Sequence, residues 1–170
     1  MSDTGTLVAE KNGNGHVQGA KPKQPTDPEA WTVGEVGLKG EKRACLHVRL
    51  LDDGQAPSRI INVNGGATVE MELELIGPGW GCDCGFVRFT VDFSGGADAK
   101  DFTLEALADV DVAKGVLPKA TIDIPADSFV FDGNIGDYRV SVNALQLNTA
   151  KVPQAVAGGA DLGYVAAYRV

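Results

Sequence analysis

Apolar and polar residues alternate with a period of two over much of this chain. Across residues 43–50, Ala44, Leu46, Val48 and Leu50 fall on one side, and Arg43, Cys45, His47 and Arg49 on the other. Successive side chains of a strand point to opposite faces, so the spacing predicts a half-buried strand. Residues 67–76 repeat the pattern, with Val69, Met71, Leu73 and Leu75 inward and Glu70, Glu72 and Glu74 outward. Residues 86–93 place Val87, Phe89, Val91 and Phe93 inward and Arg88, Thr90 and Asp92 outward. Strands with one wet face argue for antiparallel sheets. Turn residues punctuate them at Asp52-Asp53-Gly54, Asn64-Gly65-Gly66, Gly77-Pro78-Gly79 and Ser94-Gly95-Gly96.

Further strands are predicted over residues 120–125, 138–147 and 162–170, the first of them stopped by Pro125. Residues 102–112 read two ways. Phe102, Leu104, Ala106 and Ala108 alternate as a strand would, while the Leu and Ala content suits a short helix; the alternation favours a strand. Residues 1–30 behave differently, with scattered polar residues, Gly13, Gly15, Gly19, Pro22, Pro25 and Pro28, and almost no apolar periodicity. Such a segment buries too little surface to offset its ordering entropy and is expected to be a flexible N-terminal arm, about 100 Å long if fully extended. Residues 31–170 are expected to form the folded domain.

Composition agrees with this division. A chain of 170 residues accommodates one ordinary domain. With 22 glycines, 8 prolines and 6% aromatics it is turn-rich, which favours many short strands over long helices. The net charge of −8 repels phosphate backbones, and no Lys/Arg cluster offsets it, so nucleic acid is not an expected partner. No apolar run approaches the roughly 18 residues of a membrane helix. The opening residues have neither the basic flank nor the apolar stretch of a secretory signal. A protein cytoplasmic at synthesis, with no membrane partner, is expected.

The segment 120–125, a loop, then Gly136-Asp137-Tyr138-Arg139-Val140-Ser141-Val142 resembles the late strands of the immunoglobulin-like β-sandwiches. The resemblance covers residues 118–147 and lacks the Cys and Trp spacing of antibody-type domains. It implies an all-β fold, a two-sheet antiparallel sandwich of roughly seven to nine strands, with Tyr138 as a corner residue whose hydroxyl bonds back to the chain just upstream. A fold of this kind implies no function by itself.

Candidate chemistry is sparse. Cys45, His47, Cys82 and Cys84 form two i, i+2 pairs, each able to present both side chains on one face of a strand, and three cysteines with one histidine are a structural zinc set. The spacing is tighter than the usual zinc knuckle, and a disulfide from Cys45 to Cys82 or Cys84, or reduced unliganded thiols, are open alternatives. Asp92, Asp98, Asp101, Asp109 and Asp111 offer oxygens to calcium at one end of a sandwich, though without a regular calcium loop. Glu70, Glu72 and Glu74 are expected to pair with Arg43 and Arg49 across neighbouring strands. Trp80, between glycines in a turn, is either a plug over the core or an exposed contact. His16 and His47 are the only histidines, and neither is joined by the sequence to an activated nucleophile. A non-enzymatic structural or interaction protein is therefore expected, with protein partners or self-association. A repeated subunit of an assembly such as a virion coat, decoration or tail component, or a comparable bacterial particle, is the favoured form, and a zinc- or calcium-binding sandwich is the alternative.

Overall fold

The computed structural model describes residues 32–37, 43–53, 59–76 and 84–170. The expected arm over residues 1–30, Trp80 and Cys82 lie outside the described residues, as does the side chain of Cys84. Nine strands follow one another among the described residues: β1 (Thr32–Gly37), β2 (Arg43–Asp52), β3 (Ile60–Asn62), β4 (Ala67–Ile76), β5 (Cys84–Gly95), β6 (Phe102–Asp111), β7 (Lys119–Ile124), β8 (Ile135–Leu147) and β9 (Pro153–Tyr168). The later connections are interrupted, among the described residues, by 3-10 turns at Val112–Lys114 and Ala126–Ser128. Among the described residues no helix is long and apolar enough to cross a membrane.

The strands form two sheets. One has the order β1-β2-β4-β7 and the other β3-β9-β8-β5-β6. Neighbours run antiparallel except β3, which lies parallel to β9, so the sheets are mostly antiparallel, as the alternation implied. Three residues of β3 return to the second sheet directly after β2 has run through the first, and that crossing sets the parallel direction.

The alternation seen in the sequence is the packing pattern. Ala44, Leu46, Val48 and Leu50 from β2, Val69, Met71 and Leu73 from β4, and the predicted residues of β5 are all buried in one core. Residues 102–111 are a strand. Their register with β5 is continuous from Phe93↔Phe102 to Cys84↔Asp111, so pairing overrides the helical tendency of Leu and Ala. Residues 112–117 continue as a 3-10 turn closed by Gly115 in the left-handed region and a bridge from Asp111 to Val116.

Two features depart from the predicted strands. Where residues 162–170 were expected to be a strand, β9 begins at Pro153, because its first half is rich in Ala and Gly and carries no hydrophobic alternation. Small residues are required there. A Cβ on Gly34 would collide with the Gly159 carbonyl oxygen, and one on Gly158 would stand 2.8 Å from Leu46 Cβ, so the two sheets approach closely at this crossing. A bulge then moves the β8–β9 register from Val140↔Gly163 to Ser141↔Asp161, leaving Leu162 between them and Gly163 at a φ of 74°.

Tyr138 is buried at the start of β8, and its hydroxyl donates to the Val130 carbonyl at 3.2 Å, eight residues upstream. This is the corner contact the sequence pattern implied. Burial pushes its phenol above the ordinary value. Phe93, Phe102, Phe129 and Phe131 surround the ring, with Phe93 and Phe102 stacked at 4.4 Å and the others edge-on to Tyr138.

Candidate functional site

The outer faces of the two sheets present different surfaces. On the four-stranded sheet, β2 and β4 place Arg49 opposite Glu70 and His47 opposite Glu72. Arg49 Nε donates to Glu70 Oε2 at 2.5 Å, His47 Nε2 lies 2.9 Å from Glu74 Oε2, and Lys119 Nζ from β7 lies 3.5 Å from Glu72 Oε2. Of the expected pairs between the glutamates and the arginines of β2, Arg49–Glu70 is present, while Glu72 and Glu74 meet Lys119 and His47 instead. Arg49 was expected on the wet face but is only 3% exposed. The glutamate contact therefore carries a buried charge.

Cys45 and His47 share this face, as the i, i+2 spacing requires, and Cys45 is half-buried opposite Glu74. Cys84 begins β5 in the other sheet, where its backbone pairs with Asp111. Cys82 and the Cys84 side chain lie outside the described residues, so the completed set does too. The acidic loop residues have separate tasks. Asp92 accepts from the Thr103 hydroxyl at 2.8 Å, Asp101 caps the Gly95 amide at 2.8 Å, and Asp111 caps the Lys114 amide at 3.3 Å, while Asp98 and Asp109 are exposed. Among the described residues no group of three or more His, Cys, Asp or Glu side chains converges to hold a metal ion.

The outer face of the five-stranded sheet carries the features that sequence reasoning missed. Ile60 on β3 is 60% exposed, Ile135 on β8 62% and Tyr164 on β9 73%. They come together because Ile60 pairs with Ala166, Ile135 with Tyr168 and Arg139 with Tyr164, which puts three distant stretches of sequence on adjoining strands. Between Ile60 and Ile135 lies a depression of about 390 Å³ lined by Ile60, Asn134, Ile135, Ala166, Tyr168 and Arg169. Arg169 is held at its rim, donating from Nη2 to the Phe129 carbonyl at 2.5 Å and lying over the Phe131 ring at 4.4 Å.

Beside this depression, Arg139 Nη2 donates to Asp161 Oδ2 at 2.6 Å. That bond holds the Asp161 carboxyl below its ordinary value, with help from the Gly163 amide at 2.8 Å and the charge of Arg59, and it raises the Arg139 guanidinium in turn. The glycine bulge at 162–163 is what turns Asp161 toward its own chain and Tyr164 outward. The arrangement offers apolar and aromatic area with arginines at its margin, a composition suited to binding a surface. No known protein family matches this sequence, and neither a characterised protein nor a solved structure matches it.

Proposed function

We propose that this chain is a non-enzymatic structural and interaction protein whose five-stranded sheet is its contact face. The observation that carries the reading is the grouping of Ile60, Ile135 and Tyr164, all more than half exposed, on three adjoining strands. Isolated exposed apolar residues are ordinary, whereas a contiguous patch marks a place where something docks. The partner class we favour is protein, with self-association first, so that the chain serves as a repeated subunit of an assembly. A virion coat, decoration or tail component, or a comparable bacterial particle, is the form we infer for it.

An immunoglobulin-like arrangement is part of the same proposal. The order β9-β8-β5 corresponds to strands G, F and C of that sandwich, β4-β7 to B and E, and β6 to the extra strand beside C in variable-type domains. The Tyr138 corner supports the correspondence.

Size-exclusion chromatography with light scattering tests the assembly reading. The expected result is a mass that rises above the 17.7 kDa monomer as concentration increases. A monomer at every concentration, with no particle in electron micrographs of the concentrated protein, refutes it. The alternative, a metal-binding sandwich, is favoured by Cys45 and His47 sharing one face of β2. Metal analysis of protein purified without chelator checks that reading. Near-stoichiometric zinc, or a calcium-dependent rise in Tm, supports it, and neither result removes it.

A further inference from the structure

We infer that the depression on the five-stranded sheet receives Leu107 of a second copy of this chain, in a face-to-face dimer related by a two-fold axis. The inference rests on the self-association reading and names its geometry. Leu107 is the counterpart because it projects from the same outer face at the diagonally opposite corner. It stands level with Arg88 on β5, whereas Arg139 and Tyr164 stand level with Ser94, six residues along that strand and one and two strands to its other side. Leu107 is 45% exposed and lies between Glu105 and Asp109, both exposed on the same side of β6.

The two corners fit in charge as well as in shape. The depression's lining contains one charged residue, Arg169, and no acid, while both neighbours of Leu107 on its face are carboxylates. Arg59 at the margin adds a second cation, Asp137 stands on the β8 side, and Arg139 and Asp161 neutralise each other. Opposite Leu107 in the strand pair stands one cation, Arg88, which is half-buried. An apolar side chain flanked by acids therefore meets an apolar hollow edged by arginine.

A two-fold axis lying in the interface across this diagonal carries each corner onto its complement, so both contacts form at once and this face is used up by two copies, which then act as the unit of any larger assembly. The area is sufficient. Four strands about 4.8 Å apart and about 33 Å long, with the three residues of β3 at one edge, present roughly 700 Å², within the about 600 to 1,000 Å² that each partner buries in a standard interface.

Sedimentation velocity on the full chain tests the geometry. Wild type is expected to dimerise. Ile135→Glu, which puts an acid against acids, and Leu107→Lys, which puts a base against arginine, are each expected to weaken the dimer about tenfold or more. Mixed in equal amounts, the two variants are expected to regain a 1:1 dimer, because intact corners meet and the introduced charges face each other with opposite sign. Glu105→Lys, at a solvated position that the fold does not need, is expected to weaken the wild-type dimer in the same direction. Circular dichroism establishes that each variant is folded. A wild-type dimer that neither Leu107→Lys nor Glu105→Lys weakens, or a mixture that stays monomeric, overturns this geometry and leaves the assembly reading standing. A monomeric wild type overturns both.

Discussion

The four-stranded and five-stranded sheets share one core, yet their outer faces are finished in different ways. On the first, charges meet partners across the strands: Arg49 with Glu70, His47 with Glu74, Lys119 with Glu72. On the second, the Arg139–Asp161 ion pair sits beside Ile60, Ile135 and Tyr164, which face solvent. A face that neutralises itself across its strands is finished for the monomer. A face that leaves large apolar side chains in water is finished only when something covers it. Under the proposed reading, one surface serves stability and the other recognition.

The sharpest way to break this contrast is on the charged face. Glu70→Ala removes the carboxylate from an arginine that is almost wholly buried, and is expected to cost about 3 kcal/mol in chemical denaturation, since an unpaired buried charge remains. Replacing Arg49 and Glu70 together by apolar residues of similar size should recover most of that loss. A cost below about 0.5 kcal/mol for Glu70→Ala would place the pair among ordinary surface ion pairs.

Tyr138→Phe probes the corner beneath the recognition face. It deletes the hydroxyl that donates to the Val130 carbonyl and keeps the aromatic packing, so a loss of about 1 kcal/mol is expected from thermal or denaturant unfolding. Ile135→Glu and Leu107→Lys, which the dimer geometry makes decisive for association, are expected to change monomer stability by no more than about 0.5 kcal/mol. Stability and association should thus respond to different residues.

Asp161→Asn gives the smallest effect and a defined pH dependence. The Asp161 carboxyl is held below its ordinary value in the folded chain, first by the bond from Arg139. Its stabilising contribution is therefore complete above the ordinary carboxylate value near pH 4, and fades as pH falls below it toward the lowered folded value. Wild type should melt slightly above the variant at pH 6 to 7, with the difference shrinking below about pH 4. A difference that grows on acidification would contradict this sign.

Much of the fold was legible because strands with one buried face must alternate. β2, β4 and β5 did so, and their inward residues are those of the core. β6 was ambiguous while only its own residues were considered, and its pairing with β5 decided it. β1 and β3 are short, and the first half of β9 is Ala- and Gly-rich where the sheets nearly touch at Gly34 and Gly159, so none of them carried an amphipathic signature. The contact face was illegible for a different reason. Ile60, Ile135 and Tyr164 become neighbours through a parallel pairing, a register and a bulge, none of which a local pattern encodes. Of the residues singled out for chemistry, Cys45 and His47 lie together as their spacing required, and Trp80 and Cys82 fall outside the described residues.

The most direct test of the division between the two faces is hydroxyl-radical footprinting of the wild-type chain, dilute against concentrated. The account predicts that Tyr164, Ile135 and Leu107 become protected as concentration rises while His47, on the charged face, reacts at an unchanged rate. Protection of His47 with Tyr164 left reactive would contradict it.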